Sequence, residues 1–292
     1  MRSRAADVMK KMDKVTMMLS HWLDSKNVDM NSPEYKFAQA QTGVALLIID
    51  VQRDFCPAPP GVNPEGWAAL AVPGANAIVP IINNLKEVFP FGKVALSKDW
   101  HPKGHISFFS THPGKQMGDV IDVIEGGVPV QQFLWPDHCV QNTPGAELHP
   151  DLKVITEPVW DGLRWTAISD DIYTKGRDKF IDSYSAFYDN AGKSTEVLDE
   201  LLKFQGITEV VVVGLAFDYC VKFTALDAVK NNLKVTVCVD ACKAVVPANN
   251  ATFLLRQGGV TVTTCNAFIQ YRKEKFTKET GIQLPESFLS SD

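Results

Sequence analysis

The run Val210–Cys220, VVVVGLAFDYC, couples an unbroken apolar block to a polar turn and continues into helix-compatible residues over Val221–Lys230. Four consecutive valines closed by Gly214 predict a buried strand, and the residues from Asp218 onward predict a helix after a short turn. Cys220 then falls where a helix begins. The unpaired N–H groups and the dipole of a helix start favour a thiolate over a thiol, and the thiolate is the nucleophilic form. The same N–H groups suit an oxyanion forming beside the sulfur. On this stretch alone the plainer reading weighs more: a small buried hydrophobe, the common fate of an intracellular cysteine.

Outward from this unit the chain alternates. VALLIID (44–50) reads as a buried strand, PGANAIVPIINNLKEVF (73–89) as a helix with Pro73 near its start, and GKVALSKDWH (92–101) as a second strand. AISDDIYTKG (167–176) reads as a strand, STEVLDELLKFQG (194–206) as a helix from Ser194 to Gly206, and TEVVVVGLA (208–216) as the strand before Cys220. After the helix over 221–231, LKVTVCVDACKA (233–244), PANNATFLLRQGG (247–259) and VTVTTC (260–265) give strand, helix, strand. This alternation predicts an α/β fold, a three-layer α/β/α arrangement around a mostly parallel, six-stranded open sheet. Function in such folds collects at the carboxyl ends of the strands.

Two regions break the pattern. In residues 1–42, Ala5–Trp22 mixes apolar and basic residues at roughly helical spacing, and the polar stretch after it reads as a linker or loosely packed arm. The expected division is therefore an N-terminal helical arm and linker over 1–42 and one catalytic domain over 43–292. Between Lys98 and Ile168 the alternation lapses into an excursion rich in Pro, Gly, His and Trp. Loops of that length in compact domains are commonly functional.

Composition narrows the function classes. At 292 residues with 45% hydrophobic content, the chain is long enough for one large α/β core. A net charge of -5 without a basic stripe argues against nucleic acid and towards small-molecule chemistry. No apolar run reaches the length of a membrane span, and the first residues lack a secretory pattern, so a cytoplasmic protein without a membrane partner is expected, with another intracellular compartment as the alternative. The cysteines at 56, 139, 220, 238, 242 and 265 have no framework spacing and read as reduced thiols, with Cys238 and Cys242 in or near the core at a strand end.

Reactive side chains fall at three predicted strand ends: Asp50, Lys175 and Cys220. A parallel sheet brings such ends to one rim, where Asp50 can take the Cys220 proton and pass it to a leaving amine while Lys175 stabilises the charged pair. Taken singly, Asp50 is a turn or cap residue and Lys175 a solvated side chain; their joint placement carries the functional reading. The excursion adds Asp99 and His101 in KDWHPKGH and His138 in WPDHC. This mixed N/O set suits Zn²⁺, Fe²⁺ or Mn²⁺ with positions left open, set against hydrogen-bonded structural histidines. His105 and His112 are candidates for further ligands, but read first as structural or exposed. Phe55 and Trp135 either sandwich a flat ring or merely cover the core.

IIDVQRDFC, SKDWHPKGHISFFSTHPG, LWPDHCVQNTPGAELHP, KGRDKFIDSYSAF and VVVVGLAFDYCVKFTALDA, in that order, resemble the successive motifs of the nicotinamidases among the isochorismatase-like cysteine hydrolases. The resemblance covers roughly residues 43–270 and not the first 42. It implies the isochorismatase-like hydrolase fold, a triad of Cys220, Asp50 and Lys175, and metal ligands Asp99, His101 and His138 for one divalent ion, Zn²⁺ first, with Fe²⁺ or Mn²⁺ as alternatives. It also implies a cis Leu215–Ala216 bond, an oxyanion hole from the N–H groups of Ala216 and Cys220, and substrate contacts from Phe55, Trp135, Leu215 and Tyr184. The implied reaction is hydrolysis of nicotinamide to nicotinate and ammonia in NAD salvage, with pyrazinamide as a side substrate. Enlarged segments near 116–132 and 157–169, with the arm, are candidates for homo-oligomer contacts or for altered access to the site. The rival readings are a hydrolase of another small amide, ureido compound or isochorismate-like vinyl ether, and an inactive binding or scaffold protein.

Overall fold

The computed structural model describes residues 31–289 apart from 126, 156–158, 161–164, 168–169, 196–197, 199–201 and 204–205. In chain order the strands are β1 (Val44–Ile49), β2 (Lys93–Asp99), β3 (Val120–Glu125), β4 (Val128–Phe133), β5 (Val159–Trp160), β6 (Trp165–Ala167), β7 (Asp171–Lys175), β8 (Glu209–Leu215), β9 (Lys234–Lys243) and β10 (Thr261–Thr263). The helices are α1 (Pro33–Ala40), α2 (Ile78–Val88), α3 (Lys222–Lys230), α4 (Ala251–Gln257) and α5 (Cys265–Thr280). Leu198, Leu202 and Lys203 are also helical, and the rest of the helix expected over 194–206 lies outside the described residues.

The central sheet has six strands in the order β10-β9-β8-β1-β2-β7, and every neighbouring pair runs parallel. A strand covered on both faces needs an apolar residue at every position, and all of β1 is buried. Leu46 and Ile48 join Val211 and Val213 in one core layer, whereas Ala45, Leu47 and Ile49 join Val210 and Val212 in the other. Each such Val, Leu or Ile side chain contributes roughly 1.5–3 kcal/mol through burial. At Gly214, with φ +115°, an added Cβ would come within 2.2 Å of the Ile49 carbonyl, so β8 and β1 approach through a glycine just before the site.

From β1 the chain moves outward through β2 and β7, then returns to pair β8 on the other side of β1. Between β1 and β8 the connections diverge, and a crevice opens there at the carboxyl ends. Asp50 follows β1 and Cys220 follows β8, on either side of it.

Several elements differ from expectation. A short 3₁₀ turn, Ala75–Ala77, follows Gly74 in the left-handed region, so α2 begins at Ile78. The 116–132 enlargement contains an antiparallel hairpin, β3 with β4; that at 157–169, where described, contains the β5–β6 pair. α5 was not expected, although Thr264 caps its start and Gly281, with φ +73°, ends it. Within the segment read as arm and linker, α1 is capped by Ser32, and its buried Phe37 meets Phe89, Phe276 and Phe288 edge-on at 6.1, 5.4 and 5.7 Å. That part of the segment packs on the core. Ala5–Trp22 lies outside the described residues.

Candidate active site

The ends of four adjacent strands converge on the crevice. Asp50, in the left-handed region at φ +47°, turns its carboxylate back under β2, where Ser97 Oγ donates to Oδ1 at 2.7 Å. Oδ2 forms an ion pair with Lys175 Nζ at 2.9 Å. That oxygen retains a lone pair for another proton. Burial pushes the Asp50 carboxyl upward, Lys175 opposes the rise, and Asp99 adds to it.

Lys175, at the end of β7, donates to Asp99 Oδ1 and to the Ser183 carbonyl at 2.9 Å, and its Nζ is 3.4 Å from Cys220 Sγ. Burial disfavours its charge, but Asp50 and Asp99 outweigh burial and hold the ammonium protonated well above the ordinary lysine range.

Cys220 sits in a single π-helical turn, Phe217–Val221, ahead of α3. The N–H groups of Tyr219 and Val221 both donate to the Ala216 carbonyl, at 3.0 and 3.1 Å. Burial raises the Cys220 thiol well above its usual range, with Lys175 opposing and Asp50 adding to the rise. Burial therefore outweighs Lys175 in favour of the thiol, and forming a thiolate calls for a base to take the proton. Asp50, Asp99 and Cys220 offer ligand atoms within 4.8 Å of one another, so the Asp50 carboxylate is in place for that task.

Asp99, His101 and His138 form a second group whose donor atoms also lie within 4.8 Å of one another. Asp99 Oδ2 is 3.6 Å from His101 Nε2 and 3.8 Å from His138 Nε2. His101 Nδ1 is 3.0 Å from the Gly176 carbonyl, and His138 Nδ1 is 2.7 Å from the Pro136 carbonyl. Each Nδ1–H thus donates to backbone, which turns both Nε2 atoms towards Asp99; burial disfavours charge on His101, but the Asp99 carboxylate outweighs it and raises that imidazole above its ordinary range. Burial, helped by neighbouring His101, pulls His138 down to about 4, which keeps it in the neutral form a metal binds. Two imidazole nitrogens and a carboxylate fit a divalent ion with open positions. Gly176 makes room for this: with φ +63°, a Cβ there would lie 2.4 Å from His101 Cε1.

A cavity above both groups is lined by Phe55, Trp135, His138, Tyr184, Tyr219 and Cys220, among others. Trp135 Nε1 donates to Tyr184 Oη at 3.1 Å, and Tyr219 meets Trp135 edge-on at 4.8 Å. Phe55 lies 5.4 Å from the His138 ring. Of the expected substrate contacts, Phe55, Trp135 and Tyr184 are brought together here. Leu215 is not: its side chain is wholly buried in the core and does not line the cavity. The Leu215–Ala216 peptide is cis, and Ala216 lines the cavity beside Cys220.

His105 and His112 have structural partners: His105 Nδ1 with Ser107 Oγ at 2.7 Å, and His112 Nε2 with the Ile106 carbonyl at 2.7 Å. His105 also stacks on His101 at 4.1 Å and groups with it and Asp182. Sequence reasoning missed Ser97, Gln52, Asp182 and Tyr219. Gln52 accepts from Asp99 N at 2.8 Å and donates to the carbonyls of Asp99 and Ala146 at 2.8 and 2.9 Å, locking the strand end that carries Asp99. A glutamine two residues after a buried strand was the available signal, since buried amides need partners.

The isochorismatase domain model matches residues 44–267 of the chain. A nicotinamidase of Acinetobacter baylyi is 42% identical over 212 residues, which are 73% of this chain and 86% of that protein. The solved structure of an Acinetobacter baumanii nicotinamidase and pyrazinamidase is 39% identical at TM-score 0.65, covering 78% of this chain and 98% of that one. A pyrazinamidase of Pyrococcus horikoshii, solved in complex with zinc, is 29% identical at TM-score 0.54 and covers 76% and 99%.

Proposed function

We propose, for a chain that belongs to the isochorismatase domain family, the activity of a nicotinamidase: hydrolysis of nicotinamide to nicotinate and ammonia, with pyrazinamide as a second substrate, through a thioester on Cys220. The observation that carries this reading is the placement of Cys220 against Asp50 and Lys175, beside two histidines whose Nε2 atoms face a shared carboxylate. The relatives described above carry the same activity in their names.

In this mechanism the carboxamide enters with its ring among Phe55, Trp135 and Tyr184. Asp50 Oδ2 takes the Cys220 proton, and the sulfur attacks the carboxamide carbon. The N–H groups of Ala216 and Cys220 hold the oxyanion while Lys175 keeps Asp50 and the sulfur aligned. Asp50 returns the proton to the leaving nitrogen, the C–N bond breaks, and ammonia departs. Asp50 then deprotonates water, which attacks the thioester through a second oxyanion; nicotinate leaves, and the proton returns to the sulfur. Asp99, His101 and His138 would hold a divalent ion, zinc by preference for this donor set, supplying a Lewis-acid anchor for the ring nitrogen. A cytoplasmic location belongs to the same proposal and is supported by six free, buried cysteines. Among the described residues, no helix is long and apolar enough to cross a membrane.

The test is ammonia release from nicotinamide by the purified protein, before and after chelation. Release is expected to fall on chelation and return with Zn²⁺, Fe²⁺ or Mn²⁺. Release unaffected by thorough metal removal would refute the ion's role, and no release in any metal state would refute the substrate.

A further inference from the structure

A second cleft, of about 750 Å³, opens along the same rim beyond β8. It is within the size range of small-molecule sites and shares no lining residue with the cavity above Cys220. Its walls include Lys243 at the end of β9 and Arg256 in α4, with Phe217, Pro73 and Val262 as an apolar floor. No acidic side chain lines it, and neither Lys243 nor Arg256 has an ion-pair or side-chain hydrogen-bond partner among the described residues. Two unmatched cations over an apolar surface, in a protein of net charge -5, call for an anion with a ring attached. The N-terminus of α5 is not what would bind it, because Asp240 already accepts from Cys265 N at 2.9 Å.

We propose that this cleft is a second binding site, for a phosphate-bearing small molecule of the nucleotide class, with its phosphate on Lys243 and Arg256 and its ring on Phe217 and Val262. The site is coupled to the nucleophile through the backbone. Lys243 pairs with Leu215, Phe217 opens the turn that carries Cys220, and Asp218 in that turn accepts from Val245 N and Val246 N at 2.9 Å each.

Calorimetric titration tests this, with adenosine monophosphate as probe and adenosine and inorganic phosphate as its parts, on protein saturated with nicotinate so that the cavity above Cys220 is filled. The nucleotide is expected to bind the unaltered protein and to lose at least about 10-fold in affinity in the Lys243→Ala/Arg256→Ala variant, whose basal ammonia release stays unchanged. Equal affinity in the two proteins, no binding of the nucleotide at millimolar concentration, or inorganic phosphate binding as tightly as the nucleotide would each overturn the proposal. Because binding is read without turnover, its failure leaves the amidase reading standing, and the double variant locates binding at Lys243 and Arg256 whether or not nicotinate fills the cavity above Cys220.

Discussion

At Cys220 two effects oppose each other: burial favours the thiol, while Lys175 at 3.4 Å and the helical turn favour the thiolate. Burial is the larger effect, and in the proposed mechanism Asp50 takes the proton as the sulfur attacks. Cys220→Ala removes the attacking atom and little packing. Ammonia release should drop by at least about 10³-fold while the melting temperature moves by only a few degrees; substantial residual turnover would exclude the thioester. Gly176 acts on the other half of the site. In Gly176→Ala, left-handed backbone costs about 1–2 kcal/mol, and the new methyl group displaces the His101 ring, which its position would approach to 2.4 Å. Metal retained after dialysis, read by elemental analysis, should fall well below one ion per chain. Full retention would show that His101 is not a ligand.

Among the elements, those with strong local signals were legible in the sequence and those set by distant partners were not. The valine run of β8 and the apolar run of β1 announce buried parallel strands because a strand covered on both faces leaves no polar position. The hairpin β3–β4 was hidden, since Gly127 and Pro129 make its alternation resemble a loop. In α5 the buried positions Cys265, Phe268, Ile269, Arg272 and Phe276 include a charge, and the helix has a low mean hydropathy, which masked its apolar stripe. α1 shows the same problem: Phe37 and Ala38 are the buried positions of a segment that also carries Glu34, Lys36 and Gln39. Phe37→Ala should cost about 3–5 kcal/mol in urea unfolding, with turnover per folded molecule unchanged. An unaltered midpoint would mean that α1 does not dock in solution.

For the molecule as a whole, what the sequence could not supply is the set of polar contacts joining remote segments. Asp50, Asp99, Lys175 and Cys220 were legible because each ends or follows a recognisable strand, whereas Gln52 was not, its partners lying 47 and 94 residues away. Arg272 is the same kind of residue on a larger scale. Buried in α5, it donates from Nε to Gln41 Oε1 at 2.8 Å and from Nη1 to Glu209 Oε2 at 2.6 Å, tying the segment before β1 and the first residue of β8 to the C-terminal helix. A buried ion pair adds little relative to a well-packed apolar replacement, but removing one partner strands the other. Arg272→Met should therefore cost about 3 kcal/mol and Glu209→Gln less, while the double variant should cost clearly less than their sum, with a coupling of at least about 1 kcal/mol from chemical denaturation. Strict additivity would mean that the guanidinium and carboxylate do not meet in solution, which would leave the Gln41 bond as the polar tie from Arg272 at this end of the sheet.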